Sequence, residues 1–420
     1  MIAHPVRRPL RADQVLACTL AFACAAAAAQ VSETVDAMIA RDIQVAEAQY
    51  GQLLDRLRGQ PGFPRSVAKG EVVTVGPLDW TAGFFPGTLW YLYEATGEAR
   101  WRSAATRYTA DTAPAKFDKS QHDLGFMLGS GYGNGLRLTG DASYRDAMLA
   151  GATTLLTRFN PKVGSIQSWD LWPGSTWAYP VIIDNMMNLE LLMWAARASS
   201  EARYREVAIA HADTTLKHHF RPDGSSYHLV DYDPQTGAVR GRVTVQGKAD
   251  GSAWARGQAW GLYGFTMMYR ETGKDAYLRQ AQKIAAFYMG HPRLPTDKVP
   301  YWDFDDPAIP SAPRDAAAAA IASAALLELA GRSEPALARG YRDFAEQTLR
   351  SLSSPAYLAA PGTNGGFLLM HATGHKPAGT EIDVPLNYAD YYFLEALLRL
   401  RAASSGAART GGTGGTGPSR

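Results

Sequence analysis

Two aspartates of this 420-residue chain stand where a carboxylate can do chemistry. Asp184 lies in V-I-I-D-N-M-M-N-L-E-L-L-M-W, with apolar residues on both sides. A carboxyl in such surroundings is partly desolvated, which raises its pKa and suits it to delivering a proton near neutral pH. Asp123 follows His122 in H-D-L-G-F-M, at the start of another apolar run. Helix capping is the competing explanation for each, because Asp is a favoured N-cap residue.

The longest concentration of polar and aromatic residues lies between Arg221 and Phe265. There a turn-rich stretch carrying His228, Gln246, Trp254, Arg256 and Trp260 runs into an apolar helix. Trp80, Phe84, Trp169 and Trp172 occupy similar places beside loops elsewhere. Aromatic planes receive the flat C–H faces of sugar rings, although tryptophans are also common in cores. Arg256 is a natural two-bond fork for a carboxylate, with a structural ion pair as the alternative. No H-E-x-x-H, C-x-x-C or EF-hand spacing is present, so metal binding is not expected. The glycine-rich S-G-Y-G-N-G at 130–135 lacks the G-K-[ST] of a phosphate loop, and reads as close helix packing or a site-lining turn. A G-x-S-x-G nucleophile elbow is also absent.

The elements that must hold these residues are helical. A short pattern recurs as Y-E-A-T-G-E-A-R-W ending at Trp101, L-R-L-T-G-D-A-S-Y at Tyr144, R-A-S-S-E-A-R-Y at Tyr204 and Y-R-E-T-G-K-D-A-Y at Tyr277, with a fainter copy at 327–337. Each copy separates two apolar helical runs. Its glycine suits a helix C-terminus, its acidic or Ser position suits the next N-terminus, and its aromatic suits packing the hairpin closed. The spacing of the copies is too uneven for a stacked solenoid, and the extra length falls in Gly- and Pro-rich loops. Unequal loops on a uniform helical frame predict an all-α closed toroid, an (α/α)6 barrel of six hairpins in one domain over residues 30–403. Only the stretch near Tyr227–Val245 has strand character enough for a β-hairpin.

The ends read differently. Arg7, Arg8 and Arg11 precede an apolar run from Val15 to Ala29 with a small-residue cleavage site, the pattern of a signal peptide over 1–29 and of export to the periplasm or medium. Cys24 offers a lipid attachment point as an alternative, though Ala21-Phe22-Ala23 makes a weak lipobox. The chain has 42 Lys and Arg against 40 Asp and Glu, and removing Arg7, Arg8, Arg11 and Asp13 with that segment leaves it formally neutral. Nothing then attracts nucleic acid or an anionic membrane over long range, so neither is expected as a partner. Cys18 and Cys24 are the only cysteines, so the exported chain would have no disulfide and would rest on its core. Residues 404–420, rich in Gly, Thr and Ser, read as a disordered tail. The sequence leaves oligomeric state open.

At these residues the chain resembles glycoside hydrolase family 88, the unsaturated glucuronyl hydrolases. The likeness is carried by D-W-T-A-G-F-F-P-G at 79–87, H-D-L-G-F-M at 122–127, I-I-D-N-M-M-N-L at 182–189, R-P-D-G-S-S-Y-H at 221–228 and S-A-W-A-R-G-Q-A-W-G at 252–261, in order across about residues 35–400. The resemblance implies an (α/α)6 barrel. It implies removal of the 4,5-unsaturated uronic acid that polysaccharide lyases leave at the non-reducing end of oligosaccharides, with no cofactor. It makes Asp184 the general acid and base and Asp123 the second essential carboxylate. Trp80, Phe84, Trp169 and Trp260 become walls of the sugar pocket. His122, His228, Gln246 and Arg256 become polar contacts to the unsaturated residue, Arg256 meeting its carboxylate. The implied reaction is hydration of a vinyl ether, so carboxylate spacing says nothing here about retention or inversion.

The likeness loosens towards the C-terminus. Gly374 stands where the family often has an aromatic residue, and Tyr388-Ala389-Asp390 where it often has W-G-D. Preference for the sugar beyond the scissile bond, and tolerance of sulfate, are therefore open, with Lys376 a possible anion contact or a solvated lysine. Three other readings compete. An unsaturated rhamnogalacturonyl hydrolase would share barrel and chemistry. A non-catalytic oligosaccharide-binding helical protein would show regular repeats and no isolated acid. An epimerase would need paired histidines that these motifs do not obviously supply.

Overall fold

The five repeated joints show how the sequence builds its hairpins. At four of them the residue after the helix adopts a left-handed conformation: Gly97, Gly140, Ser200 and Gly273. Glycine tolerates this at no steric cost, so the helix stops there and the chain turns back. Trp101, Tyr144, Tyr204 and Tyr277 are then buried in the returning helix. The fifth joint differs, because Gly331 stays right-handed. Of the acidic openers, Asp141 accepts from Ser143 N, whereas Glu98 and Glu201 make no capping bond.

A computed structural model of the chain describes residues 33–411, with side chains through Ser404. Twelve α-helices lie among the described residues: α1 Val35–Arg56, α2 Phe84–Thr96, α3 Ala99–Asp111, α4 Asn134–Thr139, α5 Ala142–Leu156, α6 Leu189–Ser199, α7 Ala202–His218, α8 Ala255–Thr272, α9 Asp275–Gly290, α10 Ala316–Ala330, α11 Pro335–Leu352 and α12 Asn387–Gly411. A π-helix, Gly125–Gly133, runs directly into α4. The ring α2, π-helix, α6, α8, α10, α12 closes on itself by packing of neighbours, and α1, α3, α5, α7, α9 and α11 back it from outside. This is the expected (α/α)6 arrangement. Helix α10, A-A-A-A-A-I-A-S-A-A-L-L-E-L-A, is apolar on all sides because it is buried on nearly all sides.

Antiparallel strands decorate the loops. They are β1 Phe63–Ala68 with β2 Glu71–Val75, β3 Phe159–Asn160 with β4 Ser165–Ile166, the three-stranded set β5 Pro180–Ile182, β6 Leu229–Tyr232 and β7 Val239–Val243, and β8 Ala372–His375 with β9 Thr380–Val384. The hairpin expected near 227–245 is β6–β7. The segment 1–29, expected to be a signal peptide, lies outside the described residues, as do 412–420. Helix α12 continues through Gly411, past the start of the tail expected from Ser404. The run A-A-S-S-G-A-A-R holds enough good helix formers to carry the last turns onward.

Glycines set how closely the inner ring packs. A Cβ on Gly135 would come within 2.9 Å of Tyr144 and 3.1 Å of Trp90, so the glycine-rich 130–135 stretch serves helix packing.

Candidate active site

The residues singled out in the sequence gather where the inner helices begin. Asp184 enters from β5 through a short 3-10 turn, Ile183–Met187, that leads into α6. Asp123 enters one turn before the π-helix, its carbonyl accepting from Met127 N at 2.9 Å. Neither carboxylate caps its helix. Asn188, on the strand-to-helix turn that carries Asp184, donates to Asp123 Oδ1 at 3.4 Å and accepts from Phe126 N at 3.0 Å. One asparagine thus ties the two acid-bearing segments together. The sequence reading quoted Asn188 within a motif but gave it no role, and its position four residues after Asp184 was the available signal.

Burial dominates the electrostatics. Asp184 is pushed up to about 7, chiefly by desolvation, while the Arg256 charge pulls it back. Asp123 is raised well above the usual carboxylate range by burial and by the charge of Asp184. The pair therefore retains a proton at neutral pH. His122 Nε2 stands 3.3 Å from Asp123 Oδ1, and His228 Nε2 stands 3.9 Å from Asp184 Oδ2. Both imidazoles are depressed by burial and neutral. His228 Nδ1 accepts from Val245 N at 3.0 Å, which places the proton of the neutral ring on Nε2, facing Asp184.

A continuous aromatic wall surrounds the acids. Trp260 packs on Phe126 at 5.1 Å, Phe126 on Trp80 at 5.6 Å and Trp80 on Tyr388 at 5.0 Å between ring centroids. The Arg256 guanidinium lies 5.4 Å from the Tyr388 ring and 4.5 Å from that of Trp254, which meets His228 edge-on. Trp80 is half-buried, but Phe84 is wholly buried among Trp80, Phe126, Tyr388, Tyr391 and Tyr392. Trp260 and Tyr388 are buried to the same degree, so Trp80 is the ring of this set left half-exposed and the others pack behind it. Trp169 is half-buried and joined to Gln121 by a β-bridge, beside His122. Gln246 reaches Gly374 O at 3.5 Å. Phe126 escaped notice as a wall residue because an aromatic within an apolar run carries no special signal, whereas Tyr388 was marked only as the place where the family likeness loosens.

Arg256 is largely engaged within the protein. Its Nη1 donates to Asp315 Oδ2 at 2.8 Å and to Thr373 O, and its Nη2 to Gly374 O at 2.6 Å. Three of its five N–H groups are thus committed to the protein. A guanidinium only 1% exposed must satisfy its donors internally. The ion-pair alternative accounts for three of its five N–H groups; Nε–H and the second N–H of Nη2 are the donors left over. Lys376 is likewise engaged, with Asp306 at 3.4 Å.

Unpartnered buried polar atoms collect here: Asp184 Oδ2, His228 Nε2, Arg256 Nε, Trp260 Nε1 and Trp169 Nε1. Buried polar atoms are normally satisfied, so such a group within one aromatic-walled site is the imprint of a polar ligand. A separate cavity of about 610 Å³ lies along the barrel, lined by Phe126, Tyr263, Glu395 and Arg399 among others, and by none of these five.

Comparison with known proteins agrees with the geometry. Residues 64–392 match the model of Glycosyl Hydrolase Family 88. The chain is 47% identical over 356 residues to an unsaturated glucuronyl hydrolase of Formosa agariphila, covering 84% of this chain and 88% of that one. It is 37% identical to an unsaturated glucuronyl hydrolase of Bacillus sp. strain GL1, over 82% and 92% of the two chains. Among solved structures it is similar to an unsaturated glucuronyl hydrolase specific for heparin, with a TM-score of 0.84 and 46% identity over 88% of this chain and 98% of that one. A barrel of six hairpins, a buried acid pair at one end and a match over most of the chain's length converge: this protein belongs to glycoside hydrolase family 88.

Proposed function

We propose that the protein is an unsaturated glucuronyl hydrolase, releasing the 4,5-unsaturated uronic acid from the non-reducing end of lyase-generated oligosaccharides. The observation that carries this reading is the buried Asp184 carboxyl, poised at about 7 and facing a neutral His228 inside an aromatic-walled site. Protonated Asp184 adds its proton to C4 of the double bond, and positive charge develops at C5, shared with the ring oxygen. The resulting carboxylate then takes a proton from the water that attacks C5. The product is a hemiketal, which opens to a C5 ketone and leaves a hemiacetal at C1; collapse of that hemiacetal to an aldehyde breaks the C1–oxygen bond and frees the remaining oligosaccharide as its alcohol. An acid near neutral pKa can serve both transfers with little loss in either direction. Asp123, held by Asn188 and beside His122, supplies a second site for the proton. Arg256 assists through its charge and through the donors its protein partners leave over, Nε–H and the second N–H of Nη2.

The deciding experiment follows the ultraviolet absorbance of the conjugated double bond in unsaturated glycosaminoglycan, ulvan, gellan and rhamnogalacturonan fragments. Loss of absorbance with at least one of the glucuronyl-type fragments is the expected result. No loss with any of them, or loss with rhamnogalacturonan fragments alone, would overturn the reading. Export, with the periplasm or medium as the working place, rests on Arg7, Arg8, Arg11 and the apolar run Val15–Ala29.

A further inference from the structure

The described surface exposes seven large apolar side chains, and four of them lie on or next to loops that hydrogen-bond to one another beside His122. These are Leu78 (49% exposed), Phe117 (66%), Leu171 (43%) and Trp172 (52%). Their loops are tied together: Gln121 Nε2 donates to Leu78 O at 2.7 Å, Asp170 N to Ser120 O at 3.0 Å and His122 N to Ser168 O at 2.9 Å. Isolated exposed apolar residues need no explanation, but a cluster continuous with a ligand site does.

Within those loops three tryptophans form a series leading outward. Trp169 and Trp177 are half-buried, 5.7 Å apart between centroids, and Trp172 meets Trp177 edge-on at 5.3 Å. The loop presenting Trp172 is pinned at its base. Tyr179 Oη donates to Arg158 O and Ser165 O, Asp231 Oδ1 accepts from Ala178 N and Tyr179 N, and Arg158 pairs with Asp170. Its tip closes through Ser175 N to Trp172 O at 2.9 Å, with Gly174 at φ +87°. A large indole held half in water on a fixed turn is preorganised to receive a flat apolar face.

We infer that Trp172, backed by Trp177, is a stacking platform for sugar residues beyond the one adjoining the scissile bond, so that the enzyme reads chain length. This rests on the proposed hydrolase activity, because the occupant is the distal part of the same oligosaccharide. Continuity with Trp169 and His122 argues for that occupant. The nearby Asp170 carboxylate is already paired with Arg158, so recognition is by ring faces and not by charge.

The test compares the parent, Trp172→Ala and Trp172→Phe on an unsaturated disaccharide and on the tetrasaccharide of the same polymer. Trp172→Ala should lower kcat/KM for the tetrasaccharide about fivefold to tenfold, through KM, while the disaccharide value stays within about twofold; Trp172→Phe should recover most of the loss. An unchanged tetrasaccharide-to-disaccharide ratio, with the parent active on both, overturns the platform and leaves the hydrolase reading intact. A parent inactive on both substrates overturns the two together. Sedimentation of the same proteins covers a second copy of the chain as occupant: a mass that falls in Trp172→Ala with no change in the ratio also overturns the platform.

Discussion

His228 Nε2 stands 3.9 Å from Asp184 Oδ2, too far for a hydrogen bond, and each of these buried atoms lacks a partner. Val245 N fixes the other ring nitrogen as an acceptor, so the imidazole presents N–H across that gap. A substrate oxygen or the attacking water bound beside the pair would supply the partner each atom lacks. Asp184→Asn keeps the shape and removes the transferable proton. Its turnover should fall by about 10²–10⁴-fold, measured by loss of the unsaturated chromophore, with the circular dichroism unchanged.

The same carboxyl sets the pH profile and its sign. With Asp184 near 7, the proton-donating form is depleted as pH rises, so kcat/KM should fall towards tenfold per unit on the alkaline side of about 7. Stability moves the same way. The folded state holds this proton between roughly 4 and 7 while the unfolded chain has released it, so folding is disfavoured progressively across that window. Relative to the parent, Asp184→Asn should gain up to about 4 kcal/mol between pH 4 and pH 8, read from urea midpoints at each pH. A difference between the two proteins that does not vary with pH would mean that Asp184 is already ionised in the folded protein across this range.

Arg256 separates a structural role from a catalytic one. Its charge is matched by Asp315, which accepts from it at 2.8 Å with both side chains almost wholly buried. Removing one member of such a pair strands the other. Arg256→Ala should lose about 3–5 kcal/mol in urea denaturation as well as activity. Arg256→Lys should restore charge but not the contacts to Thr373 O and Gly374 O, and should remain less stable than the parent. Were Arg256 only a substrate clamp, both variants would unfold at the parental midpoint.

How much of this was legible in the sequence follows from what each feature depends on. The barrel was legible because its joints are local: Gly97, Gly140 and Gly273 end helices by their own conformational freedom, and the aromatic that follows is always buried. The β1–β2 hairpin was also written locally, as Val72, Val73 and Val75 after a Lys69-Gly70 turn, but it was overlooked among helices. Asp184 and Asp123 were legible because a carboxylate in an apolar run is an anomaly in one dimension. The occupant of the Arg256 fork was not, because Asp315 and Gly374 lie far away in the chain. Asn188 and Trp177 were missed for a related reason: their roles exist only relative to Asp123 and Trp172, which folding brings beside them.

Gly125 illustrates such a relation and can be tested. A Cβ there would lie 2.6 Å from Asn188 Cα and 2.8 Å from its Oδ1. Gly125→Ala should therefore displace the asparagine that links Phe126 N to Asp123, at a cost of about 1–3 kcal/mol from overpacking. The informative readout is kinetic. Asp123 loses a positioning contact, so kcat should drop by more than the modest loss of stability explains at a temperature where both proteins are fully folded. Parental kcat in a destabilised Gly125→Ala would mean that Asn188 serves packing alone.

Acid should weaken the fold through histidines remote from the reaction as well as through His228. His211 Nδ1 accepts from Ile166 N at 3.1 Å, and burial depresses His211 to about 3 and His219 to about 4. Both are neutral in the fold and titrate near 6.5 when unfolded, so the unfolded chain binds more protons below that pH. Their contribution is complete above about 6.5 and is lost as pH falls towards 3–4, amounting to roughly 2–3 kcal/mol for each at pH 4.5. The raised aspartates, Asp184 and Asp390 at about 7, act in the opposite sense over much of the same range, so the parent's net slope alone is uninformative. His211→Asn isolates the term, because an amide oxygen can still accept from Ile166 N while the side chain no longer titrates. Between pH 6.5 and 4.5 the stability of His211→Asn should decline less steeply than the parent's, by close to one proton in the slope. Parallel declines would mean that His211 is protonated in the folded protein.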